Sequence, residues 1–309
     1  MSLRQNIAFL SVFCVTVFPL VLSPVLADDV DTSEVVRVRY SEKTPTRIIA
    51  MDTAVLHFES QTNTKDKVTV DLIGAVHIAD LGYYERLNEL FAQYDVVLFE
   101  LVAEEGTRLD PATVANSKED PGLVGGLQNG MAGMLKLEHQ LHHIDYTREN
   151  MMHADMEPEE FFRRMINEGE LANIFARAMA QSLKQAGGQS DKTAGRMFGS
   201  LLASRDKSLG LKRVFAVEMC KQIKDELWIF EGDDGSTLIR DRNACALKKL
   251  QEVIDRGDKK IAIFYGAAHL YDFCDQLEKR FKMKPIEVTW VKAWDMGENA
   301  EKSRSTKPD

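Results

Sequence analysis

The chain has 309 residues, enough for one sizeable hydrophobic core or for a core carrying an inserted subdomain. It holds 48 acidic against 39 basic side chains, a net charge of −9 with no basic stripe, which argues against a nucleic-acid partner. The four cysteines contain no C-x-x-C pair, so composition offers no thiolate metal clip.

Residues 1–27 read as a signal peptide. Arg4 precedes an apolar run from Ile7 to Leu22, and Val25-Leu26-Ala27 presents small residues where a signal peptidase cuts. The run is short for a membrane span and Pro19 interrupts it, so a membrane is touched only if this segment stays uncleaved. The mature chain is expected to be exported, periplasmic or extracellular. Loss of Cys14 leaves Cys220, Cys245 and Cys274, an odd number, expected as buried and inert thiols. Residues 28–46 are polar and charged, the composition of a linker.

"AVLHFES" and "KVTVDLIGAVH" alternate in the manner of strands across the polar turn "QTNTKDK", predicting a hairpin. "LGYYERLNELFAQY" sets Leu81, Tyr84, Leu87, Leu90 and Phe91 at helical spacing. "DVVLFEL" is a short continuous apolar run, the mark of a strand buried on both faces. Residues 47–110 therefore read as strand, loop, helix, strand, a parallel crossover unit and the N-terminal half of an α/β core. Residues 111–235 show almost no strand pattern, are rich in methionine, and are expected to be a helical insertion, with a mobile loop at Gly122, Gly126 and Gly130. "STLIRDRNACALKKLQEVIDRG" predicts a helix ending at Gly257. "KKIAIFYGAAH", "YDFCDQLEKRF" and "KPIEVTWV" then repeat the strand, loop, helix, strand order across 236–294, and 295–309 read as a disordered tail. The fold class expected is α/β: duplicated strand–GxxH loop–helix–strand units forming one mainly parallel sheet, split by an α-helical insertion.

The duplication extends to chemistry. "GAVHIAD", residues 74–80, returns as "GAAHLYD", residues 266–272. Loops leaving the carboxyl ends of parallel strands line the binding crevice, so His77 and His269 are expected in one crevice. Gly74 and Gly266 permit the tight turns, and Glu100 ends the next buried strand on the same edge. Two imidazoles and a carboxylate can bind a divalent cation and leave a position open for water. A carboxylate in so apolar a strand is costly unless paired or bound to metal. Asp80, Asp155 and Asp272 read as helix caps without chemistry. His139, His142 and His143, at i, i+3 and i+4, read as a solvated helical face in preference to a second metal site. The chain lacks HExxH, GxSxG and P-loop motifs.

"LIGAVHIAD", "VVLFE", "LIRDRN" and "FYGAAHL" together resemble the signature blocks of the TraB/GumN (PrgY) family, related to the Tiki metalloproteases within the EreA/ChaN-like superfamily. The resemblance covers roughly residues 50–105 and 236–292. It implies a metal-dependent hydrolase acting on a peptide or protein substrate, with Mn²⁺ or Co²⁺ favoured and Zn²⁺ an alternative. By that likeness His77, Glu100 and His269 are the metal set, Glu100 is also catalytic, and Arg242 and Asn243 line or buttress the site. The stretch "AAHLYDF" departs from the family in lacking a glycine soon after the second histidine. The alternative is a non-catalytic protein that binds or sequesters a peptide, a metal or haem on the same fold, since fold does not settle function.

Overall fold

The central strands are buried almost without interruption, and successive side chains pack alternately on the two faces of one sheet. The computed structural model describes residues 30–61, 67–116, 132–167, 206–225 and 237–297. The segment expected to be a signal peptide, the glycines at 122–130 and most of the methionine-rich stretch lie outside the described residues. The strands are β1 (Val36–Tyr40), β2 (Ile48–Ser60), β3 (Thr69–Ala75), β4 (Ile78–Ala79), β5 (Val96–Phe99), β6 (Glu138–His139), β7 (Met151–His153), β8 (Lys260–Gly266) and β9 (Met283–Asp295). The α-helices that concern the site are α1 (Leu81–Phe91), α2 (Lys207–Asp225), α3 (Arg242–Arg256) and α4 (Leu270–Lys279).

Seven strands make a mixed, mainly parallel sheet in which β3, β8, β5 and β7 run parallel in that spatial order. β2 lies antiparallel on β3, and its antiparallel partners β1 and β9 complete the sheet. β4 and β6 form a separate two-stranded pair. Ile73, Ala75, Val97, Phe99, Ala262 and Phe264 pack with Tyr83, Tyr84, Leu87 and Phe91 of α1 on one face. Val70, Leu72, Val96, Leu98, Ile261 and Ile263 pack with α3 and α4 on the other, through Leu247, Leu250, Phe273 and Leu277. Both faces are covered, as parallel strands require. β8 enters between β3 and β5, so the loop after β3, the loop after β8 and the residue after β5 leave the same end of the sheet side by side. α3 stops where expected: Gly257 takes φ 108°, and its N–H reaches back to Val253 and Ile254.

Three boundaries differ from the sequence reading. Residues 36–40, inside the expected linker, form β1; Arg37 and Arg39 on its polar side share the buried carboxylate of Asp52, which offsets the cost of burying it. Residues 151–153, inside the expected insertion, form β7 and extend the sheet beside β5; three residues are too few to show a period. Residues 295 and 296, assigned to the tail, are ordered: Asp295 ends β9, and Met296 just beyond it is fully buried and donates its N–H to the Ile49 carbonyl. The thiols are unpaired, but only Cys274 is buried while Cys220 and Cys245 are half-buried; burial pushes Cys220 and Cys274 up to about 12 and Cys245 upward, so all three are poor nucleophiles. Among the described residues no helix is long and apolar enough to cross a membrane.

Asp80 occupies the N-cap position of α1 yet makes no side-chain cap bond. Its Oδ1 accepts from Lys212 Nζ at 2.7 Å and its Oδ2 from the Asp295 N–H at 2.6 Å. Lys212 is wholly buried, and an ammonium taken out of water draws a carboxylate more strongly than a helix end does. One side chain thus joins α1, α2 and β9. Asp80→Asn is expected to cost about 3 kcal/mol in urea unfolding, the scale for breaking a buried pair from one side. A change within 0.5 kcal/mol would show that the contact contributes little.

Candidate functional site

Glu100 follows the last residue of β5, and its N–H donates to the Phe264 carbonyl at 3.0 Å, which sets its side chain against the end of β8. There the Gly266 N–H donates to Oε2 at 2.5 Å. A Cβ at position 266 would lie 3.2 Å from that oxygen, so glycine is what allows the carboxylate onto the amide. Arg242, the first residue of α3, places Nη2 2.7 Å from Glu100 Oε1. The same guanidinium grips Asp155 through two bonds, Nε to Oδ1 at 2.9 Å and Nη2 to Oδ2 at 2.6 Å. Two carboxylates therefore share one cation, with all three side chains largely buried. Burial alone would raise the Glu100 pKa; the charges of His269, Arg242 and His77, with the Gly266 N–H, outweigh it and bring the value down to about 2.

His269 faces this pair. Its Nδ1 lies 2.6 Å from Asn243 Oδ1, and Asn243 is fully buried. Asn243 Nδ2 donates to the His269 carbonyl at 3.1 Å and to Asp272 Oδ2 at 2.8 Å. Both partners only accept, so the amide has one orientation and Oδ1 must accept from Nδ1–H. Burial, only partly opposed by Glu100, lowers the His269 pKa and favours the neutral ring. The lone pair is then on Nε2, which points at Glu100 Oε1 across 3.6 Å. Two acceptors converge on one spot.

That spot opens into a cavity of about 420 Å³, whose floor carries Glu100, Arg242 and His269. Its walls are apolar: Val76 and Ile78 from the first histidine loop, Met219 and Ile223 from α2, Leu238 and Ile239 before α3. His77 lines the same cavity but is exposed, and its carbonyl accepts from the Gln140 N–H at 2.9 Å. The two loops are thus not equivalent. The β3–β8 register pairs Gly74 with Tyr265 and Ala75 with Gly266, one residue out of step. The second loop turns directly into α4 and buries its histidine; the first detours through β4 and leaves its histidine at the rim. Among the described residues no three His, Cys, Asp or Glu side chains are grouped closely enough to hold a metal as they stand.

Other expectations change with the geometry. Asp155 is not merely a cap: its Oδ1 takes the Met156 N–H, but both oxygens serve Arg242. Asp272 is no N-cap either, lying inside α4 and holding Asn243. Residues 139–143 form no α-helix. His139 pairs with Ile78 in the small sheet, where burial and the neighbouring His142, His77 and His143 push it down to about 4, and His143 Nε2 meets Glu138 Oε2 at 3.1 Å. Trp290, the counterpart of Glu100 by spacing in the second unit, packs under the Arg37 guanidinium in β9. Asp155 and Asp272 were the functional residues missed. Neither carries a local pattern that separates it from a cap; each acquires its role through a strand or helix distant in sequence.

No family model, no curated protein and no solved structure matches the chain.

The buried charge arrangement makes a signed prediction. The Glu100 contribution to stability is fully present above its ordinary value of 4.5 and is lost as pH falls towards 2. Arg242→Met leaves two buried carboxylates without their guanidinium, so burial weighs more heavily on Glu100 and makes it easier to protonate. The variant is expected to lose about 3–5 kcal/mol at pH 7 and to recover much of that deficit by pH 4.5. Thermal melts of parent and variant across that range check it, and a pH-independent deficit would contradict the shared-cation reading.

Proposed function

We propose that this chain is an exported hydrolase of peptide bonds that works at the cavity floor, with Glu100 and His269 as the central pair. The observation that carries the reading is the convergence of an ionised carboxylate oxygen and a neutral imidazole Nε2, 3.6 Å apart, at the base of an apolar cavity. Two lone pairs directed at one point suit a divalent cation, and the two carboxylates that share one guanidinium leave a negative charge for it to balance. Two donors are in place: His269 and Glu100 would hold the ion, and His77, exposed at the rim, would have to swing inward to become a third. Mn²⁺ or Co²⁺, with Zn²⁺ the alternative, would supply a Lewis acid that lowers the pKa of a water.

The chain's own groups then divide the work. Asn243, anchored by Asp272, keeps the His269 proton on Nδ1 and the lone pair on Nε2. Arg242, anchored by Asp155, is the permanent cation among the groups, His269, Arg242, His77 and the Gly266 N–H, that favour the ionised form of Glu100. A general base works best with a pKa near the working pH, so Glu100, at about 2, serves as ligand and fixed charge and not as proton acceptor. The apolar walls exclude water and receive an apolar side chain of the substrate. The matching strand, histidine loop and helix order of the two units supports a duplicated core, and the resemblance to the TraB/GumN family supports the same activity.

One observation favours a second reading, capture of a peptide without turnover: Arg242 already neutralises Glu100 Oε1 at 2.7 Å. Metal content and peptide-library cleavage measured on the same preparations separate the two. The hydrolase reading expects cleavage that a chelator abolishes, with Glu100→Gln and His269→Ala losing metal and activity together and His77→Ala losing less. Retained metal with activity down by roughly 10²–10⁴-fold in Glu100→Gln would make Glu100 the base after all. Parent protein loaded with Mn²⁺, Co²⁺ or Zn²⁺ that cleaves nothing would establish capture.

A further inference from the structure

On the α1 face of the sheet, outside the cavity described above, three cross-strand neighbours form a hydrogen-bonded row. Asp71 on β3 stands opposite His57 on β2; on β9 His57 faces Glu287, with Thr289, the partner of Val55, diagonal to it. Asp71 Oδ1 lies 2.9 Å from His57 Nδ1, and His57 Nε2 lies 2.9 Å from Thr289 Oγ1. The other oxygen of Asp71 accepts from the Tyr94 hydroxyl at 2.6 Å, and Asp71 is buried. Because the carboxylate only accepts, neutral His57 carries its proton on Nδ1 and presents its Nε2 lone pair to the Thr289 O–H. Thr289 is exposed, and with His57 it lines a groove of about 940 Å³ between β9 and α1.

A row of polar cross-strand contacts is common on sheets and normally only stabilises them. This row differs in having one direction throughout: buried anchor, carboxylate, imidazole, then an exposed hydroxyl facing open space. That is the order of roles in nucleophilic hydrolases, which are recognised by geometry and not by chain order. We propose that Thr289, His57 and Asp71 form a second, independent acyl-transfer site acting on small carboxylic esters. Thr289 Oγ attacks the ester carbonyl carbon while His57 Nε2 takes its proton. The carbon–oxygen bond to the alcohol then breaks, and the alcohol leaves with that proton. Water next attacks the acyl-threonine, His57 again accepting and returning the proton, which releases the acid and restores Thr289. Asp71 is a positioning residue, holding the ring and balancing the charge it gains. Arg86 on α1, Gln93 in the turn that follows it and Lys292 on β9 line the groove as side-chain donors for the oxyanion. With donors on mobile side chains the site is suited to esters with good leaving groups and not to amides.

The test uses the full chain with p-nitrophenyl acetate and an alkyl fluorophosphonate probe. In the probe reaction Thr289 Oγ displaces fluoride from phosphorus and its proton passes to His57. The site predicts a single adduct on Thr289 by peptide mass spectrometry. It also predicts ester hydrolysis that falls by about 10²-fold or more in His57→Asn and Thr289→Val. Thr289→Ser, which keeps the hydroxyl and removes the hindering methyl, should match or exceed the parent. The hydrolysis rate should rise with pH through one limb set by His57. Asp71 by its hydrogen bond and Glu287 raise that pKa while burial and Lys260 lower it, with a net upward shift; Arg86 and Glu89 face it from α1. Thr289→Val sits on an exposed strand position, so its melt should match the parent and a loss of rate is not a loss of fold. An adduct elsewhere, or hydrolysis unchanged in Thr289→Val, would overturn the proposal and leave the row a structural ladder.

Discussion

The site depends on one guanidinium held between two buried carboxylates. Arg242 makes two bonds to Asp155 and a third contact to Glu100, at 2.9, 2.6 and 2.7 Å. Without that cation the two carboxylates would lose their fixed counter-charge, and desolvation penalises an uncompensated buried charge by several kcal/mol. With it, Glu100 is a permanent anion at the end of a hydrophobic strand. Every other feature of the cavity floor follows from where that anion is placed.

Placement is the task of the sheet. β8 lies between β3 and β5, which brings Gly266 within hydrogen-bonding distance of Glu100, and β7 on the far side of β5 delivers Asp155. α3 brings Arg242 and Asn243 as neighbours in sequence, one for each half of the pair: Arg242 sets the charge of Glu100 and Asn243 sets the tautomer of His269. Two supporting acids, Asp155 and Asp272, hold these two in turn. Such support determines whether a site has one geometry or several.

Much of this was legible in the sequence. The period-two runs around Leu72 and Ile263, the helical spacing from Tyr84 to Phe91 and the glycine at 257 report directly on burial and backbone, so the elements they define stand where expected. Glu100 and His269 were visible because a carboxylate in an apolar run and a repeated histidine are unusual locally, whereas Arg242 and Asn243 were named only through the resemblance to the TraB/GumN family. Other features were hidden for physical reasons. β7 is three residues long and gains its identity only by pairing with β5. Asp80, Asp155 and Asp272 each precede or open a helix, and local sequence cannot tell a cap from a partner for a distant cation or amide. The apparent equivalence of His77 and His269 fails because the two loops leave β3 and β8 one residue out of step, and His269 is buried while His77 is exposed.

The central claim concerns a single proton. If Arg242 and Asn243 act as described, metal-free His269 at neutral pH is an uncharged ring protonated on Nδ1, with a free lone pair on Nε2 facing an ionised Glu100. Nitrogen NMR of the chain labelled in its histidine rings, with His269 assigned by the loss of its signals in His269→Gln, reports both nitrogens separately. The account predicts a protonated Nδ1 and an unprotonated Nε2 at pH 7. A ring protonated on both nitrogens, or on Nε2 alone, would contradict it: the 3.6 Å contact would then be an ordinary ion pair or hydrogen bond, with no lone pair to receive a cation or a water.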